Sequence, residues 1–344
     1  MLTQPVSPVA AQAYLLHQTF LGLQLMVAVE QDKGEVYEWM FRLFRRQHEE
    51  KFLSSFAKLG LQGAPPAVAC AKYHVLSNNV GGVDVEYMEE SERKAWVRFR
   101  YPRWMYAGPA ICGIPVEASR GFLQGWYAQN GVSLNNPRLG FVCVSEDVTG
   151  QFGLCGYFQE YDQDLAPEDR LRFAPGERPP PFDPAAQPLP PPMEWNAERL
   201  EKAQRNYALE YLRNGLPALA EGLGWERTRA LASRAARLTG LQQRAALEGQ
   251  LGCSGEGLEA TAELLTMLFQ GMGDDVHRSE GPKRSIVLQQ RGLRMVRGLE
   301  GNGRAALLEL ATALWSGVVD SGRIFLSYKA EVEQAHATFV LSLA

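Results

Sequence analysis

Cys112 is the residue whose surroundings best suit a reactive thiol. It lies in a Gly/Pro-rich loop, Ala107-Gly-Pro-Ala-Ile-Cys112-Gly-Ile-Pro115, and Pro115 suits the first position of the helix that follows. A thiol near a helix N-terminus feels the positive end of the dipole and loses its proton more readily. Arg98, Arg100 and Arg103 lie just upstream and push the same way. A nucleophile needs a base, and His74 is the candidate, in the stretch Tyr73-His-Val-Leu-Ser-Asn-Asn-Val-Gly81-Gly82, which reads as turn-rich. Asn78 or Asn79 in that stretch would hydrogen-bond a developing oxyanion. The plainer alternative for Cys112 is a small buried hydrophobe, the usual role of an unpaired cysteine.

Rings surround this thiol in sequence. Trp96, Tyr101, Trp104, Tyr106, Trp126, Tyr127, Phe141, Phe152, Tyr157 and Phe158 fall within one stretch, the composition of a ligand pocket and also of an ordinary aromatic core. Arg98 or Arg100, aimed inward from a strand, would clamp a carboxylate. Strand alternation instead groups Trp96, Arg98 and Arg100 on one face and Val97 and Phe99 on the other, which is the natural core face. Cys143 and Cys155 lie on two further β runs. They lack the close CxxC spacing of a thiolate metal site, so no metal and no cofactor is expected. His48, among Arg45, Arg46, Glu49 and Glu50, reads as part of a solvated helix face. His277, near Asp274 and Asp275, reads as a polar loop. No GxxxxGK[ST], GxGxxG after a strand, GxSxG or HExxH occurs, which disfavours nucleotide hydrolysis, Rossmann redox and serine-hydrolase chemistry.

The elements that must position these residues follow from periodicity. Pro8 to about Gly60 reads as two helices. The first is apolar nearly all round; the second buries Val36, Met40, Leu43, Phe44, Phe52 and Phe56. Val83–Met88 and Lys94–Arg100 form a hairpin, residues 116–129 a helix, and Leu139–Ser145 and Gln151–Tyr161 two strands. Residues 174–192 hold nine of the chain's twenty prolines and read as a stiff, extended connector. Beyond it, Glu194 to Gly271 is helical, with Asn196 as N-cap. A β run at Ser285–Val296, a helix at Arg304–Val319 and β runs at Arg323–Val332 and His336–Leu343 then repeat the earlier order. The reading is an α+β chain of two tandem halves, each an antiparallel sheet covered by helices: residues 1–173, a linker 174–193, and a degenerate copy 194–344 serving as scaffold or dimerisation surface.

A chain of 344 residues suits two ordinary domains, and 46% apolar with 22% charged residues is the balance of a core-forming protein. The net charge of −4 comes with interspersed signs and no basic face, so nucleic acid is not an expected partner. Leu15–Val29 is broken by His17, Gln18 and Gln24, too short and too polar to span a bilayer, so no membrane partner is expected. Five cysteines without a disulfide framework point to a reducing, cytoplasmic setting.

From Trp96 to Tyr161 the chain resembles the bacterial L-2-amino-thiazoline-4-carboxylic acid hydrolase-like proteins, which look related in fold to vinyl-reductase-type small-ligand-binding domains. Arg100-Tyr101-Pro102, Cys112 ahead of a helix, and Gly153-Leu-Cys155-Gly-Tyr157-Phe158 carry the resemblance. It implies a helical cap on an antiparallel sheet with a small-molecule pocket between them; the family's namesake opens a heterocyclic ring by hydrolysis. The leading expectation is therefore a hydrolase or lyase acting on a small aromatic or carboxylated molecule. Cys112, His74 and Asn78 would be catalytic. Arg98, Arg100, Tyr101, Trp104, Tyr106, Trp126, Cys155 and Tyr157 would hold the ligand. The competing expectation is a non-catalytic small-ligand-binding or sensor module.

Overall fold

The computed structural model of the chain describes residues 5–100, 103–149, 151–189, 196–253, 255–333 and 336–343. Its elements are α1 (Pro8–Glu30), α2 (Lys33–Lys58), α3 (Pro66–Val80), β1 (Val85–Ser91), β2 (Lys94–Phe99), α4 (Val116–Gly125), α5 (Asn130–Ser133), β3 (Leu139–Ser145), β4 (Cys155–Glu160) and β5 (Leu171–Phe173). They continue with α6 (Ala197–Leu223), α7 (Trp225–Leu251), α8 (Leu258–Met272), β6 (Asp275–Gly281), β7 (Ser285–Arg291), α9 (Gly301–Asp320), β8 (Leu326–Val332) and β9 (His336–Leu343). The protein is α+β. Among the described residues no helix is long and apolar enough to cross a membrane.

The chain divides into two compact units, residues 27–203 and residues 1–26 with 204–344. The division therefore differs from the expected one at both ends. The first 26 residues belong with the second unit because α1 packs there: Phe20 meets Tyr211 with ring centres 5.2 Å apart, and the Tyr14 hydroxyl donates to Gln243 at 2.7 Å. Nor is the proline-rich stretch a bare connector, as far as its residues are described. Ala174 donates its backbone N–H to the Cys143 carbonyl at 2.9 Å, and the Gln187 side-chain amide brackets the Tyr87 backbone, accepting from its N–H and donating to its carbonyl, each at 2.8 Å. Ala174 and Phe152 pack on the sheet's outer cluster of Met88, Trp96, Val142, Val144, Cys155 and Tyr157. Both faces of this sheet are thus covered. Residues 190–193 of the expected linker, with the two that follow, lie outside the described residues.

The two sheets share one wiring. The first runs β1-β2-β4-β3-β5 and the second β6-β7-β9-β8, and in each a helix (α4 or α9) connects the second strand to the third in sequence. β6 is a correction: the residues around His277 form a strand, not a polar loop. His277 pairs with Gln289 in register, although Asp275-Val-His-Arg-Ser-Glu-Gly281 has no apolar alternation and lies exposed at the sheet edge. In each unit the crossover helix also lies close against a long helix through glycine. A methyl group at Gly121 of α4 would collide with the Tyr37 carbonyl of α2, and one at Gly317 of α9 with the Arg237 carbonyl of α7. A side chain at either position would force the helices apart.

α2 buries Val36, Met40, Phe44, His48, Phe52 and Phe56, one stripe at four-residue spacing. His48 is thus core, only 1% exposed, and not on a solvated face. α3 is the second correction. Pro66 begins this helix, and Tyr73, His74, Asn78 and Asn79, read as turn-rich, lie within it; the turn starts at Gly81.

Candidate functional site

The expected dyad does not assemble. Cys112 ends a short 3-10 turn and is exposed, whereas His74 is buried on α3 and spends its Nε2 on Asn130; no hydrogen bond joins the two. Asn78 donates to the His74 carbonyl at 2.7 Å, a bond along its own helix. The expected oxyanion donor is therefore tied to the backbone.

The expected ligand-binding residues scatter as well. Arg98 and Arg100 both turn to Glu86, at 3.6 and 3.1 Å, so the carboxylate they hold is the protein's own. Cys155 is fully buried in the outer-face cluster, and burial pushes its thiol up to about 12. Tyr157, in the same cluster, donates its hydroxyl to Glu177 at 3.4 Å under the Lys94 ammonium. Trp104 is half-buried in a 3-10 turn and Tyr106 fully buried beside Arg103. Trp126 sits edge-on to His48 and His74. Tyr101 lies outside the described residues.

Two buried polar networks occupy the first unit instead. In one, Arg45, His48, Asn130 and His74 form a chain of hydrogen bonds. Nη1 of Arg45 lies 3.3 Å from His48 Nδ1, His48 Nε2 lies 3.2 Å from Asn130 Oδ1, and Asn130 Nδ2 lies 2.8 Å from His74 Nε2. A guanidinium only donates, so the direction is fixed: His48 accepts at Nδ1 and donates from Nε2, Asn130 relays, and His74 accepts at Nε2. Both imidazoles are therefore neutral. Burial, then the Arg45 charge, lowers His48 to about 4, and burial lowers His74 well below its ordinary value. His74 packs parallel to both Tyr127 and Phe158, ring centres at 3.9 and 5.3 Å, and those two rings lie 5.5 Å from each other.

In the other network, Arg103 grips Asp147 with two bonds, 3.1 and 2.7 Å, and the Ser119 hydroxyl donates to the same carboxylate at 3.2 Å. The pair is sealed from solvent, and the rings of Phe99, Tyr106 and Phe122 surround the guanidinium. Each charge answers the other, so the network holds the aromatic loop to the start of the β3–β4 connection and leaves no charge free for a ligand. The four-residue stripe of α2 is the signal that would have found His48, which its charged neighbours masked; Arg103 and Asp147, far apart in sequence, carried no signal.

A pocket lies in the second unit, in the half read from sequence as scaffold. It is partly open and encloses about 440 Å³, its mouth included, between α9 and the inner face of the second sheet. Trp315, Thr312, Ala311 and Leu308 of α9 form one wall; Gln290, Phe339, Ala337 and Val332 of the sheet form the opposite one. Gly292 at φ +99° and Leu293 at +35° turn the chain off β7 so that Met295 and Val296 close one end. Asp274, 7% exposed, sits at that end. Its carboxylate accepts from the Gln290 amide and the Arg294 backbone N–H, each at 2.7 Å, and burial raises its pKa. Among the described residues no cluster of His, Cys, Asp and Glu is arranged to hold a metal ion. In comparisons with protein-family models, curated proteins and solved structures, nothing matches this chain.

Proposed function

We propose that this protein is a non-catalytic small-ligand-binding module, with the site in the pocket between α9 and the second sheet. The observation that carries the reading is the lining of the pocket: mostly apolar walls, the two large rings of Trp315 and Phe339, and the hydrogen-bonded pair Asp274 and Gln290 at one end. The hydrolase or lyase reading has lost its paired nucleophile and base, since the exposed Cys112 and the buried His74 are held by different surroundings. The shared wiring of the two sheets supports reading the units as two vinyl-reductase-like copies of one design, of which the second keeps a cavity where side chains fill the first.

The test is a thermal-shift screen of the full chain against small apolar fragments, repeated on Ala311→Phe, which puts a ring into the pocket. A saturable rise in Tm for the native chain, lost in Ala311→Phe, is the expected result. No shift with any fragment, or a turnover that Cys112→Ser abolishes, would contradict the reading.

A further inference from the structure

We propose that the second unit's pocket takes a small apolar amine, its ammonium held by the Asp274 carboxylate beside the rings of Trp315 and Phe339. The inference rests on the reading of this pocket as a ligand site and adds the chemical class of the occupant. Among the described residues that line the pocket, Asp274 is the charged one; no lysine or arginine side chain lines it. The two groups bonded to Asp274, an amide and a backbone N–H, are both neutral donors, so the carboxylate is oriented without being ion-paired at contact distance. Arg294 and Arg297 act on it from farther off, and Arg205 feels it in turn. They temper its charge without entering the lining.

Three kinds of ligand head are then ranked by chemistry. A carboxylate would meet a like charge in a poorly solvated site and be rejected. A hydroxyl would gain one hydrogen bond to the carboxylate but bring no charge of its own. An ammonium would add the attraction of opposite charges to that hydrogen bond, with the rings of Trp315 and Phe339 in the lining. The rest of the lining, including Met272, Met295, Val296 and Leu308, accepts a hydrocarbon body.

Calorimetric titration of the full chain near neutral pH with 2-phenylethylamine, 2-phenylethanol and 3-phenylpropionate separates these heads on one ring. The expected order is amine over alcohol by about tenfold or more, with the carboxylate not bound. Asp274→Asn should bring the amine down to the alcohol's affinity and leave the alcohol unchanged. Ala311→Phe should abolish binding of both. Alcohol binding as tight as amine, or carboxylate binding tightest, overturns the amine assignment and leaves the pocket reading standing. No binding by any probe overturns both. Amine binding that survives Ala311→Phe places the site elsewhere and also overturns the inference. Because the native chain's own ranking decides the matter, the result does not depend on Asp274→Asn folding.

Discussion

The inner faces of the two sheets hold different things on one wiring. In the first unit His74, Tyr127 and Phe158 lie nearly parallel and Phe141 meets Tyr127 edge-on, with centre separations from 3.9 to 5.5 Å, and buried polar networks thread between helices and loop. In the second unit, α9 presents Leu308, Ala311 and Thr312 to the sheet, and the small side chains leave a pocket that Trp315 and Phe339 do not fill. Each buried acid also has its own kind of partner. Asp147 has a guanidinium in bidentate contact, Asp274 only neutral donors. The aromatic stretch that most resembles a binding site in sequence is therefore packed core, and the blander half keeps the space.

The largest effect expected from this contrast is at the buried ion pair. Arg103→Met strands the Asp147 charge and should cost about 3–5 kcal/mol in urea unfolding, while the double variant Arg103→Met with Asp147→Leu should recover most of it. Asp274→Asn, which strands no charge, should cost about 1 kcal/mol. Equal losses at the two acids would remove the distinction.

Acid should act next, and on both units, since burial also lowers His17 of the second to about 3. His48 and His74 are neutral in the fold and protonate more readily once unfolded. Stability is therefore whole above the ordinary histidine value of 6.5 and falls as pH drops toward about 4. Each histidine contributes a slope of about 1.4 kcal/mol per pH unit within that window. Urea unfolding of His48→Gln at several pH values should show a slope smaller by about one proton; an unchanged slope would mean that His48 is not the buried neutral base described.

Enlarging an alanine sharpens the comparison of the two faces. Ala95→Phe, among the first sheet's buried residues, should cost about 3 kcal/mol through overpacking, whereas Ala311→Phe fills existing space and should stay within about 1 kcal/mol. Similar losses would mean the second face is as full as the first. The smallest effect belongs to Cys112. Its thiol should be labelled first in the native chain, with Cys70, Cys143 and Cys155 reacting only on unfolding, and Cys112→Ser should change stability by less than about 0.5 kcal/mol.

Much of the fold was legible in the sequence because periodicity and caps agreed with packing. The α2 stripe, the β1–β2 hairpin, β3, β9 and the Asn196 cap, which accepts from the Arg199 N–H at 2.8 Å, stand where pattern placed them. Where pattern failed, tertiary contact had overruled it. Asn78-Asn79 ahead of Gly81-Gly82 looks like a turn, yet the buried face of α3 from Ala67 to Leu76 carries the helix through it. β6 has no apolar alternation and exists through backbone pairing with β7. His48 continued the four-residue stripe, but its charged neighbours hid it. The pocket could not be read at all, because it comes from what Ala311 and Thr312 lack; a sequence lists side chains and not the space between them.

The central claim is that the second unit, not the ring-filled first, keeps an apolar space for a guest. Diffraction from xenon-pressurised crystals of the chain tests it directly, since xenon settles in apolar voids irrespective of any ligand's identity. A xenon peak in the pocket lined by Trp315, Ala311 and Phe339 is the expected result. A peak among His74, Tyr127 and Phe158, with none beside Trp315, would contradict the account.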